Sequence, residues 1–281
     1  MIDIRLLETH SEYLSVEDLQ RNIWGITDGI DIVPGHLLIT VQKNGGVVLG
    51  AFDPEGGKEN LIGFVFGFAG ITHEGSIKHC SHMAGVLPEY QNQNIGYRLK
   101  KAQREHILDK NIELITWTYD PLESRNAYLN IHKLGVTCRT YIRNLYGELR
   151  ESLNEGMQTD RFQVDWHIAR EHVINRLGET GGDFTLSELR SGDALVLEGE
   201  VKNDLLQPPE RKCEIEGERI LVQIPSDIQM IKRCDMSLAL CWQEYVRMVF
   251  EYAFSEGYTA TDMFFETGRS YYLLDRSWRI Q

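Results

Sequence analysis

The sequence has no long apolar run, no paired cysteines and no excess of positive charge, and each absence removes a class of protein. Its longest nearly apolar stretch, Leu61 to Ile71, falls well short of the ~20 residues that a helix needs to cross a bilayer. The N-terminus does not set a basic segment before an apolar one, so no targeting segment is expected there. The five cysteines, Cys80, Cys138, Cys213, Cys234 and Cys241, are odd in number, scattered and without a Cys-x-x-Cys pair. Neither a disulfide framework nor a zinc cage is indicated, and a reducing compartment is the natural expectation. With 29 Lys and Arg against 42 Asp and Glu the net charge is −13, the wrong sign for a surface that must displace counterions from nucleic-acid phosphates. The chain therefore reads as a cytoplasmic enzyme or binding protein with no membrane or nucleic-acid partner, and any polyanionic ligand must be held by a local feature.

What is present describes a globular protein. A hydrophobic fraction of 42%, a charged fraction of 25% and twelve Tyr argue against disorder or a fibrous chain. At 281 residues the chain can form one large domain or two of ordinary size. Two are expected, residues 1–150 and 151–281, because the pattern changes from Leu149.

In chain order, Ile2 to Leu6 alternates as a half-buried strand. Ser15-Val16-Glu17-Asp18 has a capping-box pattern and predicts a helix that ends near Gly25. Leu37 to Gln42, the turn Asn44-Gly45-Gly46 and Val47 to Phe52 predict a hairpin. Leu61 to Ile71 is apolar on both faces, as a central strand should be, and Ile77 to Leu87 is the next strand. A helix over Asn94 to Asp109 would bury Ile95, Leu99, Ala102 and His106 and turn Arg98, Lys100, Lys101 and Arg104 outward as a basic face. That face is either ordinary solvated charge or part of an anion site. Ile112 to Tyr119, a helix over Glu123 to Leu134 closed by Gly135, and a strand over Arg139 to Tyr146 complete this part.

The passage from Val86 to Leu99 is the most informative. A strand ends, the chain turns tightly and an amphipathic helix begins, which aims several main-chain N–H groups and the positive end of a helix dipole at one point. A phosphate or pyrophosphate fits such a cradle.

This order of elements, with Gln91-Asn92-Gln93-Asn94-Ile95-Gly96 in the turn, resembles the GNAT N-acyltransferase family, whose loop reads Gln/Arg-x-x-Gly-x-Gly/Ala. Asn94 replaces the first glycine, and Asn is the residue other than Gly that best tolerates positive φ. Asn126-Ala127 followed by Lys133-Leu134-Gly135-Val136 resembles the family's second signature. The resemblance covers residues 1–150. The phrases Tyr97-Arg98-Leu99-Lys100 with Ala102-Gln103-Arg104, Trp117 to Leu122, and Thr159-Asp160-Arg161-Phe162 with Trp166 are similar to a bacterial and archaeal subgroup with an extended C-terminal half. Its members are mostly labelled predicted acetyltransferases, and some relatives are linked with N-succinylation of amino acids.

The resemblance implies an α+β (mixed α/β) fold, with a mostly antiparallel sheet flanked by helices, and direct transfer of an acetyl or other short acyl group from acyl-CoA to a primary amine. It implies no metal. CoA would be held by Gln91, Asn92, Gln93, Asn94, Ile95, Gly96, Tyr97 and Arg98 at its pyrophosphate, by Ala84, Gly85 and Val86 along its pantetheine arm, and by Asn126. The candidate bases are His79, His82 and Glu74, with His82 favoured because an imidazole titrates near neutrality. The competing reading of either histidine is a hydrogen-bonded structural residue. Three residues apart on a strand, His79 and His82 should point to opposite faces. Ile131 stands where many members have a proton-donating tyrosine, leaving Tyr119, Tyr128 or solvent as the acid.

The second half is expected to be α/β, laid out as a degenerate GNAT-like lobe without its own loop. Its predicted strands are Asp160 to Ala169, Leu195 to Val201, Ile220 to Ile224, Thr259 to Glu266 and Ser270 to Arg276, and its long helix carries the stripe Leu238, Cys241, Trp242, Tyr245, Met248, Val249 and Tyr252. Leu153 to Thr159 is expected as a polar segment, Glu171 to Asp183 as a linker and Gln207 to Lys212 as a loop. Arg161 or Arg269 would pair with a substrate carboxylate, or else form ordinary structural ion pairs. A small amine such as an amino acid is the expected acceptor, and a homo-oligomer is compatible with these readings. The rivals are a non-catalytic acyl-CoA-binding module and a protein lysine acetyltransferase.

Overall fold

The computed structural model describes residues 1–27, 29–56, 60–147, 156–178, 184–209 and 215–280. The described chain separates into two compact units, residues 1–117 with 167–169, and residues 118–147, 156–166 and 170–280. The division thus falls inside a strand at Trp117, whereas the change of sequence pattern lies near 150.

The first unit begins with β1 (Asp3–Leu6), α1 (His10–Trp24) and α2 (Gly35–Lys43). Helix α1 starts earlier than the Ser15 pattern predicts. Thr9 Oγ1 accepts from Glu12 N at 3.3 Å while the Glu12 carboxylate accepts from Thr9 N at 3.1 Å, so a complete box upstream leaves Ser15 inside the helix. Gly25 closes α1 at φ 66°. The predicted strand Leu37 to Gln42 is instead α2. A short apolar run fits either period, and Pro34, fixed in φ at the N-cap, starts a helix that buries Leu38.

Strands β2 (Val47–Phe52), β3 (Leu61–Ile71) and β4 (Ile77–Val86) follow, then α3 (Ile95–Leu108) and β5 (Leu114–Tyr119). The sheet order is β1-β2-β3-β4-β5, antiparallel except that β5 runs parallel to β4, as a crossover through α3 allows. Phe64 and Phe66 of β3 pack with Tyr13, Val16 and Leu19 of α1 and Leu38 of α2 on one face. On the other face His79 and Ser81 of β4 meet α3.

The buried stripe of α3 is Ile95, Leu99, Lys100, Gln103 and Ile107, turned from the predicted Ile95, Leu99, Ala102 and His106. The predicted basic face is therefore dispersed. Lys100 is 5% exposed, Arg98 Nη2 donates to Ile2 O at 2.7 Å, and Arg104 Nε donates to Ile168 O at 2.8 Å.

In the second unit, α4 (Ser124–Ala127) continues as a π-helical turn, Tyr128–Lys133, and Gly135 ends it at φ 69°. Next come β6 (Thr137–Ile142), β7 (Arg161–His167), α5 (Glu171–Leu177), α6 (Leu186–Ser191) and β8 (Leu195–Leu197). A separate two-stranded ribbon, β9 (Glu200–Lys202) with β10 (Leu205–Gln207), is followed by β11 (Arg219–Ile224), α7 (Ile228–Cys234), α8 (Met236–Ser255), β12 (Thr259–Glu266) and β13 (Arg269–Asp275). The sheet order β7-β6-β12-β13-β11-β8 is antiparallel up to the edge strand β8. Phe162, Phe250 and Tyr272 interlock edge to face at 4.7 to 5.5 Å in its core.

Two further corrections concern this unit. The predicted linker from Glu171 holds α5, and the predicted strand Leu195 to Val201 is broken into β8 and β9. Leu153 to Glu155 of the polar segment, 179–183 of the linker, and 210–212 of the loop with Cys213 lie outside the described residues. Both units are mixed α/β with mostly antiparallel sheets flanked by helices. Among the described residues no helix is long and apolar enough to cross a membrane.

Candidate active site

Strand β4 stays paired with β3 as far as Val86↔Gly63. Its ladder with β5 consists of His79↔Ile115 and Cys80↔Thr116. From Ser81 and Trp117 onward the two parallel strands part, and one edge of β4 is left without a β5 partner. This fork leads directly to the turn. Tyr90 OH donates to Asp53 Oδ2 at 2.9 Å and fastens the chain there, after which residues 91–94 are exposed.

Two asparagines make the turn. Asn92 has φ 64° and Asn94 φ 57°, both in the left-handed region that Asn tolerates best after Gly. The substitution of Asn94 for the expected glycine thus keeps the backbone conformation. Asn94 is the N-cap of α3, yet its side chain makes no capping bond to the helix. The turn thus stands at the positive end of the α3 dipole. Of the other candidates, Ala84 is exposed while Gly85 and Val86 are half-buried. A Cβ on Gly85 would come within 2.8 Å of Ile23 Cδ1 and 3.2 Å of Trp24, so glycine there lets the end of α1 lie against β4.

His82 is the extra residue of a β-bulge. Phe66 pairs with Met83 and Gly67 with Ser81, leaving His82 without a Cα partner on β3. Its imidazole lies edge-on to Phe66 with centroids 5.3 Å apart, on the exposed face, and burial against the rings lowers its pKa from 6.5. It is therefore neutral at pH 7. His79 points to the opposite face, as expected from spacing, and is fully buried. Glu74 sits in the exposed turn between β3 and β4.

The sequence reading missed a polar network on that opposite face. Lys100 Nζ donates to Ser81 Oγ at 2.8 Å and to Gln103 Oε1 at 3.3 Å, Ser81 donates to Gln103 Oε1 at 2.9 Å, and Gln103 Nε2 meets His79 Nε2 at 3.1 Å. Desolvation brings Lys100 down to about 7; desolvation and the neighbouring Lys100 bring His79 down to about 3. The His79 ring occupies the space over Gly67, where a Cβ would lie 2.4 Å from Nε2. The signal available was the i, i+3 pair Lys100 and Gln103, which a purely apolar stripe passes over.

The second-unit candidates are placed less favourably. Tyr119 is 6% exposed and its hydroxyl lies 3.2 Å from that of Tyr272, with burial pushing its pKa well above 10. It holds its proton inside the core, which corrects the expectation of an available acid. Arg161 lies 3.8 Å from Asp120 and is 8% exposed, and Arg269 pairs with Glu198. Both therefore have carboxylate partners within the chain rather than open guanidinium groups. Arg269 lines a cavity of about 210 Å³ together with Arg190, Glu266 and Tyr271. Asn126 is exposed, and Tyr128 stacks on His132 at 4.5 Å. His132 Nδ1 lies 2.9 Å from Asp262, which also accepts from Arg176 at 3.0 Å. Local spacing joins Tyr128 to His132 but could not have added Asp262 and Arg176, which lie far off in sequence. Among the described residues no group of three or more His, Cys, Asp and Glu is placed to hold a metal ion.

No protein-family model matches the sequence, and no curated protein does. Solved structures do resemble it. The NatC complex bound to Gag peptide and CoA aligns over 59% of this chain and 98% of its own at 13% identity, TM-score 0.48. An acetyltransferase of the GNAT family from Streptococcus pneumoniae aligns over 59% and 98% at 15% identity, TM-score 0.46. Aminoglycoside 6'-acetyltransferase type Ii aligns over 59% and 97% at 18% identity, TM-score 0.45. At TM-scores below 0.5 these likenesses by themselves decide nothing about this chain.

Proposed function

We propose that the chain is a CoA-dependent N-acyltransferase of the GNAT kind, which moves an acetyl group, or another short acyl group such as succinyl, to a primary amine of a small molecule such as an amino acid. The observation that carries this is the fork between β4 and β5 running into a left-handed asparagine turn and an uncapped helix. Main-chain N–H groups of Gln91 to Arg98 would hold the pyrophosphate, and the edge of β4 at Ala84 to Val86 would pair with the pantetheine arm. Acyl-CoA supplies the activated thioester carbonyl. His82, neutral at pH 7, would take the proton of the acceptor ammonium.

Titration calorimetry with CoA and acetyl-CoA, followed by thiol release over a panel of amines with acetyl- and succinyl-CoA, tests the assignment. Binding with turnover on amino acids is expected. Binding without turnover on any amine points to a regulatory acyl-CoA module, turnover on lysine peptides alone points to a protein acetyltransferase, and absence of binding overturns the assignment.

A further inference from the structure

Where β4 and β5 part, the first residue of each strand past their last shared pair faces a single amine. Lys100 Nζ donates to Ser81 Oγ at 2.8 Å and lies 3.6 Å from the centre of the Trp117 ring. Only 5% of Lys100 is exposed. Among the described residues no carboxylate pairs with it, and a lysine so buried is almost never left without a counter-charge. The groups around it are His79 and Cys80 of β4, the uncharged Ile115, Thr116 and Trp117 of β5, and Gln103 and Arg104 of its own helix, with Arg104 turned to Ile168 O. Lys110 bears on His79 and lies further along.

The donors fix the direction of the network. A charged Lys100 only donates, and Ser81 gives its O–H to Gln103 Oε1, so that oxygen is filled and the Gln103 amide donates to His79 Nε2. His79 is thereby neutral with its proton on Nδ1, and it leaves Lys100 as the one group of the network that changes charge near pH 7.

We propose that Lys100 is a positioning residue for proton delivery in the fork, passing a proton through the Ser81 hydroxyl to the sulfur released when a thioester held there is cleaved. This rests on the acyl-CoA reading above. Ser81 Oγ–H gives its proton to the sulfur, which keeps the electron pair of the broken C–S bond. Lys100 Nζ–H replaces the proton on Ser81 and becomes a neutral amine. Solvent then recharges Lys100 with the proton that the acceptor ammonium has lost. Gln103 Oε1 keeps a donor from Lys100 while Ser81 turns away, which accounts for its two donors at rest. The relay supplies what Ile131 lacks and what Tyr119, bound to Tyr272, does not offer.

In the free protein, ¹⁵N NMR of the lysine side chains should show one amine titrating near 7, absent from Lys100→Met. In turnover, the wild type should lose activity on the alkaline side near that pH. Lys100→Met and Ser81→Ala should fall about 100-fold in kcat and lose that limb, with acyl-CoA affinity by calorimetry unchanged. Lys100→Arg, which cannot release a proton, should be as slow as the Met variant. A Lys100 that titrates above 9, or an alkaline limb retained in folded Lys100→Met, overturns the relay alone. A wild type without acyl-CoA affinity overturns the acyl-CoA reading and the relay with it.

Discussion

Both units contain a strand followed by a helix, and the two junctions are finished in opposite ways. After β4, α3 begins at left-handed Asn94 with no side-chain cap. After β11, Asp227 Oδ1 accepts from Met230 N at 2.8 Å, and at the next helix Asp235 Oδ1 accepts from Leu238 N at 3.0 Å. Helices α7 and α8 thus meet a first-turn amide with a carboxylate of their own, where an anion would otherwise bind. Buried charge follows the same division. Asp160 and Asp262 of the second unit are met by Arg247 and Arg176, whereas Lys100 of the first has only neutral acceptors. The topology differs too. Strands β4 and β5 are neighbours, but β11 and β12 are separated by β13, so the second unit does not repeat the fork. The expected degenerate lobe shares an order of elements with the first unit but neither its fork nor its left-handed asparagine turn.

The largest effects should come with opposite signs from the two kinds of buried charge. Asp160 is 2% exposed and accepts from Tyr141 OH at 2.7 Å, Asn144 N at 2.9 Å and Arg247 Nε at 2.9 Å. Asp160→Ala should cost about 3–5 kcal/mol in denaturant unfolding, because it strands a guanidinium, a hydroxyl and an amide. A loss under about 1 kcal/mol would show that this network does not hold the unit together. Lys100→Met should stabilise instead, by roughly 1–4 kcal/mol, since Ser81 and Gln103 still bond to each other without the amine. The sign with pH is explicit. Lys100 sits at about 7 when folded against 10.5 in an ordinary chain, so between those values the unfolded chain binds more protons and wild-type stability rises with pH. The advantage of the Met variant should be full below pH 7 and fade towards 10.5. A difference in Tm that does not change with pH would mean that the buried amine is not the source.

The legible part of the molecule was the part written in local terms. The continuous apolar run over Leu61 to Ile71 and the stripe of α8 needed only neighbouring residues. The strand end, turn and helix start around Asn94 were legible for the same reason, since they lie within a dozen residues. The helix α2 was not, because the short apolar run from Leu37 to Val41 satisfies both periods and Pro34 decides between them. The fork depends on how far β4 and β5 remain paired, and the Asp262 cluster on His132 and Arg176, which lie 130 and 86 positions from it; neither is encoded in spacing. Tyr119 was misplaced for a related reason. Its burial is set by Tyr272 and Phe162, which its own strand does not reveal.

Converting one helix end into the other sharpens the comparison at a smaller scale. Asn94→Asp keeps a residue that tolerates φ 57° but places a carboxylate at the start of α3, as Asp235 does at α8. CoA affinity should fall at least about tenfold, or 1.4 kcal/mol, while Tm stays level or rises slightly because the negative charge favours the helix dipole. Unchanged affinity by calorimetry would place the pyrophosphate somewhere other than this turn.

The smallest effect runs the other way. Asp235→Ala removes the acceptor for Leu238 N, a loss of about 1 kcal/mol for an N-cap. It leaves α8 with free first-turn amides but without a left-handed turn before them, since Asp235 has φ −154° and ψ 97°. If an open helix end were sufficient, this variant would gain affinity for CoA or inorganic pyrophosphate. If the receptor also needs the two left-handed asparagines and the parted strand edge, the variant should be destabilised and still bind neither. The second outcome is expected, and pyrophosphate binding by Asp235→Ala would show that an uncapped helix alone accounts for the first site.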